Sequence, residues 1–274
     1  MEIQFFKYQG TGNDFVILDN RDERYNKLTA EQVAFLCHRR FGIGADGLML
    51  LNAHPDFDFE MKYYNADGRE STMCGNGSRC LVQFARKAGI VQDNYRFLAV
   101  DGAHEAKVSS EGIVSIKMID VPEVKFEQDH FVLNTGSPHF VKIEENVMAM
   151  DVFKKGREIR CSKPYEKEGI NVNFVQLTDR RDKILVRTYE RGVENETLSC
   201  GTGVTAAALV CFHNESGYNY VEVATKGGIL NVGYDKQGNQ YHNIWLHGPA
   251  QLVFEGKVTV KEKLKSEAKI ESNN

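Results

Sequence analysis

Two stretches of the chain carry the same device. "STMCGNGSRC" and "TLSCGTGVTA" each set one cysteine directly before Gly-X-Gly and then open into a helix-like run, and Cys74 and Cys200 stand 200 − 74 = 126 residues apart. The offset carries the neighbours with it: "IGADGLMLL" (43–51) falls on "GINVNFVQL" (169–177), and "FEMKYY" falls on "LVRTYE" with Tyr63 on Tyr189. Upstream, "TGNDFVIL" echoes "TGSPHFVKI" at an offset of 124. A period this long is far beyond that of a solenoid repeat, so it predicts two similar domains fused in one chain and facing each other. The seam is expected near "DVPEV" (120–124), giving an N-terminal domain 1–118 and a C-terminal domain 119–260, with the polar tail 261–274 packing on the first.

Each copy reads as strand, helix, strand, strand, cysteine loop, helix, strands. "TAEQVAFLCHRRFG" has helical spacing (Val33, Leu36, Cys37, Arg40) behind a Thr29 N-cap, and a second helix begins after Cys74 and stops at Gly89. "VDGAHEAKV" and "TKGGILNVGY" each put a glycine turn between alternating segments, as a hairpin requires. The run from Val204 to Phe212 is apolar on every face, which predicts a helix buried all round. A curved sheet wrapped about a central helix meets that demand better than a flat one, and the fold class expected is α/β (α+β).

A helix N-terminus presents unpaired amides and about half a positive charge, so it stabilises anions and lowers a thiol pKa from its free value of about 8.5. Gly75, Gly77, Gly201 and Gly203 keep those amides uncovered. With the two copies face to face, one carboxylate can sit between two helix starts with a thiol on either side of its α-carbon. One sulfur removes the α-proton, the other delivers a proton to the opposite face, and the amides hold the developing enolate-like charge. Such a site inverts a stereocentre, which gives the duplication a purpose. Cys37, Cys80, Cys161 and Cys211 are expected to be small buried hydrophobes.

A formal charge of −4 disfavours nucleic-acid and anionic-membrane partners, and no stretch approaches the length of a membrane span. With no basic, apolar leader and no dense cysteine framework, the expectation is a cytoplasmic protein with reduced thiols. No Cys-X-X-Cys pair or partnered histidine spacing suggests a metal. "GTGVTA" (201–206) matches a dinucleotide fingerprint with Glu222 downstream, but the polar loop "GVENETLSC" separates strand from glycine where that motif needs a tight turn. A thiol redox or ligand-binding module remains as a reading from another class.

The whole set, "GTGNDFVILD", "GIGADGL", "YYNADGRESTMCGNGSRC", "TGSPHFV", "INVNFV", "YERGVENETLSCGTG" and the Gly pair at 227–228, resembles the diaminopimelate epimerases. Related pyridoxal-independent racemases share the architecture, but their first cysteine loop typically carries His where Asn76 stands here. The resemblance implies two mixed sheets, each round a central helix, an active site in the cleft, no cofactor, a small-molecule substrate and a homodimer. It implies Cys74 and Cys200 as the acid/base pair and the amides of Gly75, Asn76, Gly201 and Thr202 as the carboxylate site. Asn13, Asn65, Asn171, Glu190 and Arg191 would recognise the rest of the substrate, with His139 and Ser137 as further candidates. Two positions depart from the family: Ser137 stands where many members carry Asn, and Gly47 where the enterobacterial enzymes carry Gln. The related alternative is a racemase for another amino acid.

Overall fold

The computed structural model describes residues 1–211, 214 and 216–261. The first half contains β1 (Glu2–Gly10), β2 (Asn13–Asp19), α1 (Ala30–Cys37), β3 (Gly47–Asn52), β4 (Phe59–Asn65), β5 (Glu70–Ser71), α2 (Gly75–Lys87), β6 (Asn94–Ala99), β7 (Gly102–Val108) and β8 (Val114–Lys117). The second contains β9 (Lys125–Glu127), β10 (His130–Asn134), β11 (Pro138–Ile143), α3 (Val152–Arg160), β12 (Asn171–Leu177), β13 (Lys183–Glu190), β14 (Asn195–Thr197) and α4 (Gly201–Val210). After α4 come β15 (Ser216–Thr225), β16 (Gly228–Gln237), β17 (Gln240–Gly248) and β18 (Gln251–Thr259).

Strand pairing runs β18-β1-β2-β3-β4-β6-β7-β8 in the first half and β9-β10-β11-β12-β13-β15-β16-β17 in the second. The two sheets join where β8 pairs antiparallel with β17. Both are mixed, with parallel steps at β2–β3 and β4–β6 and again at β11–β12 and β13–β15. β18 lies within the span expected for the second domain, yet it pairs with β1 and fills the edge place that β9 fills beside β10. Of the tail, Lys261 accepts a hydrogen bond from Gln32 Nε2 on α1, at 3.0 Å. Residues 262–274 lie outside the described residues.

Alternation builds two cores per half. Phe15 and Ile17 of β2 and Met49 and Leu51 of β3 face α2, while Val16, Leu18, Leu48 and Leu50 face the opposite cluster, where α1 contributes Val33 and Leu36. Strands covered on both faces read as unbroken apolar runs, here "FVIL" and "LMLL". Strands of both edges and the middle touch α2, from β1 to β8, and α4 is enclosed likewise by β10 to β17. Every α4 residue but Thr202 is buried, as its all-round apolar sequence demands. The Thr29 capping box with Gln32 forms, but α1 ends at Cys37, leaving Arg40 outside and exposed. Cys37, Cys80 and Cys211 are buried, whereas Cys161 is exposed at the C-cap of α3, contrary to expectation, because the helix ends at the surface there.

The register corrects the alignment of the two halves. Phe15 pairs with Gly47 and His139 with Asn171, so the offset of 124 persists through β3 and β12. Gly47 then faces Asn65, and Val172 faces Tyr189, which sets Asn171 level with Glu190. Tyr63 is therefore the counterpart of Thr188, not Tyr189, since both pair with the short strand before the cysteine, at Ser71 and Thr197. A connection one residue longer in the second half shifts the frame, and a one-residue shift moves a side chain to the other face.

Gly77 and Gly203 let the central helices press on their sheets. A Cβ on Gly77 would meet the terminal methyl of Met49, and one on Gly203 the amide oxygen of Asn173, with Thr188 Oγ1 at 3.3 Å. Methionine can swing aside, but Asn173 is held by Thr188 and by the Phe140 carbonyl. Gly203→Ala is expected to cost about 1–3 kcal/mol and Gly77→Ala less; urea unfolding of the two variants side by side measures the difference.

Candidate active site

Cys74 and Cys200 are the N-caps of α2 and α4 and share one extended backbone conformation, φ −111°, ψ 122° and φ −118°, ψ 113°. The two helix starts abut: a Cβ on Gly201 would lie 3.8 Å from Gly75 Cα, with Leu246 at 3.0 Å. Only glycine fits at Gly201 without pushing Leu246 aside, so two sets of free amides converge on one place. The half-buried Cys74 has its Sγ 3.7 Å from Asn13 Oδ1, and the buried Cys200 has its Sγ 3.5 Å from Thr202 Oγ1.

The expected acidic thiol is not what the structure holds. Burial pushes both thiols above their ordinary value, and the nearby Glu190 carboxylate adds to the rise; the amides of Gly77 and Asn76 on Cys74, and Thr202 and the Gly203 amide on Cys200, only moderate it. Desolvating a thiolate outweighs half a helix charge. Glu190 is itself raised by burial, with the Asp46 carboxylate adding to the effect.

At the strand ends facing the helix starts, the first half presents Asn13, Gly47 and Asn65, and the second Ser137, Asn171 and Glu190 in the matching places. Of these six, Asn13 lies against Cys74 and Glu190 is electrostatically close to both sulfurs, and the chemistry of the two halves is not symmetric. Asn171 Nδ2 donates to Ser137 Oγ at 2.7 Å and to the Pro138 carbonyl at 3.1 Å, and its Oδ1 accepts the Arg191 amide at 2.9 Å. The exposed Arg191 side chain donates from Nη1 to the Glu168 carbonyl at 2.9 Å. Thr202 is tied to the second half's opening loop, where Thr135 Oγ1 donates to its carbonyl at 2.8 Å.

One layer down, the first half is Phe15, Met49 and Tyr63, and the second is His139, Asn173 and Thr188. Asn173 accepts from Thr188 Oγ1 at 2.9 Å and donates to the Phe140 carbonyl and to His139 Nδ1, both at 3.0 Å. His139 therefore carries its proton on Nε2, which is sealed without a partner among the described residues. Burial, with the Arg191 charge, pushes His139 down to about 3, so the ring is neutral.

Three residues unmarked in the sequence hold the site in place. Asp46 accepts from Asn13 Nδ2, which turns Asn13 Oδ1 toward Cys74. Fully buried Arg79 donates to Asn76 Oδ1 at 2.9 Å and to Thr11 Oγ1 at 3.0 Å, with no carboxylate in ion-pair range among the described residues. A guanidinium cannot accept, so the Asn76 amide group points the other way and Nδ2 donates to the Ser199 carbonyl at 3.0 Å, across the cleft beside Cys200. The register of the paired strands, once known, would have marked Tyr63, Asn173 and Thr188; nothing local in the sequence singles them out.

Behind Asn13, Asp14 pairs with buried Lys7 at 2.7 Å and with Arg39 at 2.6 Å, and Arg39 reaches Asp46 at 2.7 Å. Burial alone would raise Asp14; hydrogen bonds and charge from Arg39 and Lys7 win and hold it at about 2. Its folded pKa is below the usual carboxylate value near ~3.9, so its contribution to stability is complete above that value and lost as pH falls through about 2. Urea unfolding between pH 6 and 2 is expected to show this loss in the wild type, and Asp14→Asn should be weaker at neutral pH with a flatter acid dependence.

The fold is one that solved structures of isomerase and biosynthetic proteins share. A Bacillus anthracis phenazine biosynthesis protein of the PhzF family matches with a TM-score of 0.75 at 16% identity, covering 95% of this chain and 100% of that one. A hydroxyproline epimerase from Agrobacterium vitis, solved with bound trans-4-OH-L-proline, matches with a TM-score of 0.64 at 14% identity over 94% of this chain and 92% of its own. At these identities the likeness shows a shared fold. The sequence is more specific: the diaminopimelate epimerase family model matches residues 5–123 and again 131–253. Diaminopimelate epimerase of Flavobacterium psychrophilum is 46% identical over 254 residues, 92% of this chain and 99% of that protein. That of Aquifex aeolicus is 39% identical over 94% and 98%. The chain belongs to the diaminopimelate epimerase family.

Proposed function

We propose that this protein converts LL-2,6-diaminopimelate to the meso isomer by a two-base reaction of Cys74 and Cys200, without a cofactor, in the cytoplasmic synthesis of lysine and peptidoglycan precursors. The observation that carries the reading is the contact of the two cysteine-capped helix starts at Gly75 and Gly201. The α-carboxylate sits against the amides of Gly75, Asn76, Gly201 and Thr202, where negative charge is stabilised as the α-proton leaves. One sulfur, as thiolate, takes that proton; the other, as thiol, protonates the opposite face. The burial that raises both thiols makes each a strong base once deprotonated, and one proton shared by the pair serves both directions.

Glu190, electrostatically close to both sulfurs, takes an ammonium group. The Arg191 fork, with Asn13, Asn65 and Asn171, takes the distal amino-acid head. The two domains, 1–118 and 119–260, hold the substrate in the cleft between them. A homodimer completes the reading: among the described residues β18 pairs on one side only, and Leu252, Val253 and Phe254 on it are exposed.

In D2O, at early conversion of pure LL-diaminopimelate, product is expected to carry deuterium at the inverted carbon while recovered substrate stays largely unlabelled. Equal label in both would establish a single base, and turnover only of other amino acids would establish another racemase. Cys74→Ala and Cys200→Ala should each lower kcat/KM by ~10²–10⁴-fold. Because both thiols are raised, kcat/KM should climb through neutral pH toward the alkaline side, with macroscopic values belonging to the pair; a profile maximal near pH 6 would contradict the pKa directions.

A further inference from the structure

Gly47 leaves a gap in the row of polar groups at the strand ends. Its counterpart in the second half, Asn171, makes three hydrogen bonds there, whereas Gly47 has no side chain at all. The gap is filled from below. A Cβ on Gly47 would lie 2.5 Å from Tyr63 Cε2 and from the Tyr64 carbonyl oxygen and 3.0 Å from Tyr63 Oη, so the Tyr63 ring leans across the glycine and brings its hydroxyl to the place where a side chain at 47 would begin.

That hydroxyl is unemployed. Tyr63 is 9% exposed, its ring packs edge-on against Phe15 at 6.0 Å, and its Oη makes no hydrogen bond with any described residue. It is also not among the polar atoms sealed from solvent, so the oxygen keeps some accessible surface. Thr188, in the matching place, spends its hydroxyl internally on Asn173. Burial is the first cause that raises the phenol's pKa, followed by the proximity of Cys74, Asp46, Cys37 and, from the opposite half, Glu190. A nearly buried phenol with no partner among the described residues costs stability unless a ligand satisfies it.

We infer that Tyr63 is a substrate-contacting residue whose hydroxyl hydrogen-bonds the non-reacting amino-acid head of the substrate, in the place of the side chain that Gly47 lacks. The reacting carboxylate is held at the helix starts, which leaves the row of Asn13, Gly47 and Asn65 for the distal head; the inference rests on the two-headed substrate proposed above. Glycine at 47 and tyrosine at 63 are one unit, because a side chain at 47 would displace the ring.

Tyr63→Phe tests this, since it keeps the ring and removes only the hydroxyl. KM for LL-diaminopimelate is expected to rise about 5–10-fold with kcat within twofold. The thermal midpoint should stay level or rise, because no internal hydrogen bond is lost. Binding of LL-diaminopimelate to Cys74→Ala and to Cys74→Ala/Tyr63→Phe, by calorimetry, should show the same weakening without turnover. Wild-type KM and affinity in the Tyr63→Phe proteins, with the wild type active, would overturn the inference alone. A lowered midpoint with a fall in kcat would make Tyr63 structural and overturn it too. A wild type that does not invert or bind diaminopimelate removes the substrate reading and the partner assigned to Tyr63 with it.

Discussion

The contact between Gly75 and Gly201 is the constraint on which the rest of the molecule depends. Two helix N-termini repel each other through their dipoles. The approach is enforced from outside, by two sheets joined at β8 and β17 that grip α2 and α4 along their lengths, and by Asn76, which crosses the cleft to the Ser199 carbonyl. Buried Arg79 adds a further positive charge close by, kept below its ordinary pKa at about 10 by burial but still a cation at neutral pH. The helix starts and Arg79 thus bring positive potential to the contact, with Glu190 as the nearby carboxylate.

Burial acts on this site in two senses. It holds the sulfurs as thiols in the absence of ligand, which protects them from the oxidation that an exposed thiolate invites. It also lowers the local dielectric around the helix starts, so that their amide dipoles act in a medium where they are strong. Glu190 belongs to the same balance: a carboxyl raised by burial, near both sulfurs, discourages thiolate formation.

The halves share a frame but divide the work. In the second, polarity runs two layers deep, from Asn171 and Glu190 down to His139, Asn173 and Thr188, and most of it is tied up internally. In the first, Phe15, Met49 and Tyr63 form an apolar second layer, and polarity comes from the flank through Asp46 and the Lys7–Asp14–Arg39 cluster. A substrate with two unlike ends, one reacting and one merely recognised, needs such inequality, and duplication followed by divergence at equivalent register positions supplies it.

Much of this was legible in the amino-acid order. The repeat of Cys-Gly-X-Gly, the apolar run of α4 and the Thr29 cap are local patterns, and local patterns determine helices, caps and the identity of the paired cysteines because neighbouring residues alone decide them. The unbroken apolar runs "FVIL" and "LMLL" suit strands covered on both faces for the same reason. What tertiary structure alone decided were relations between distant segments. Strand register moved Tyr63 from beside Tyr189 to the place of Thr188, because loop lengths that differ by one residue leave no mark on the strands themselves. The return of β18 to β1 depends on which sheet edge stands unpaired. The thiols' resistance to ionisation follows from how deeply two converging helix starts are enclosed, a property of packing that a helix N-terminus read alone points to with the opposite sign.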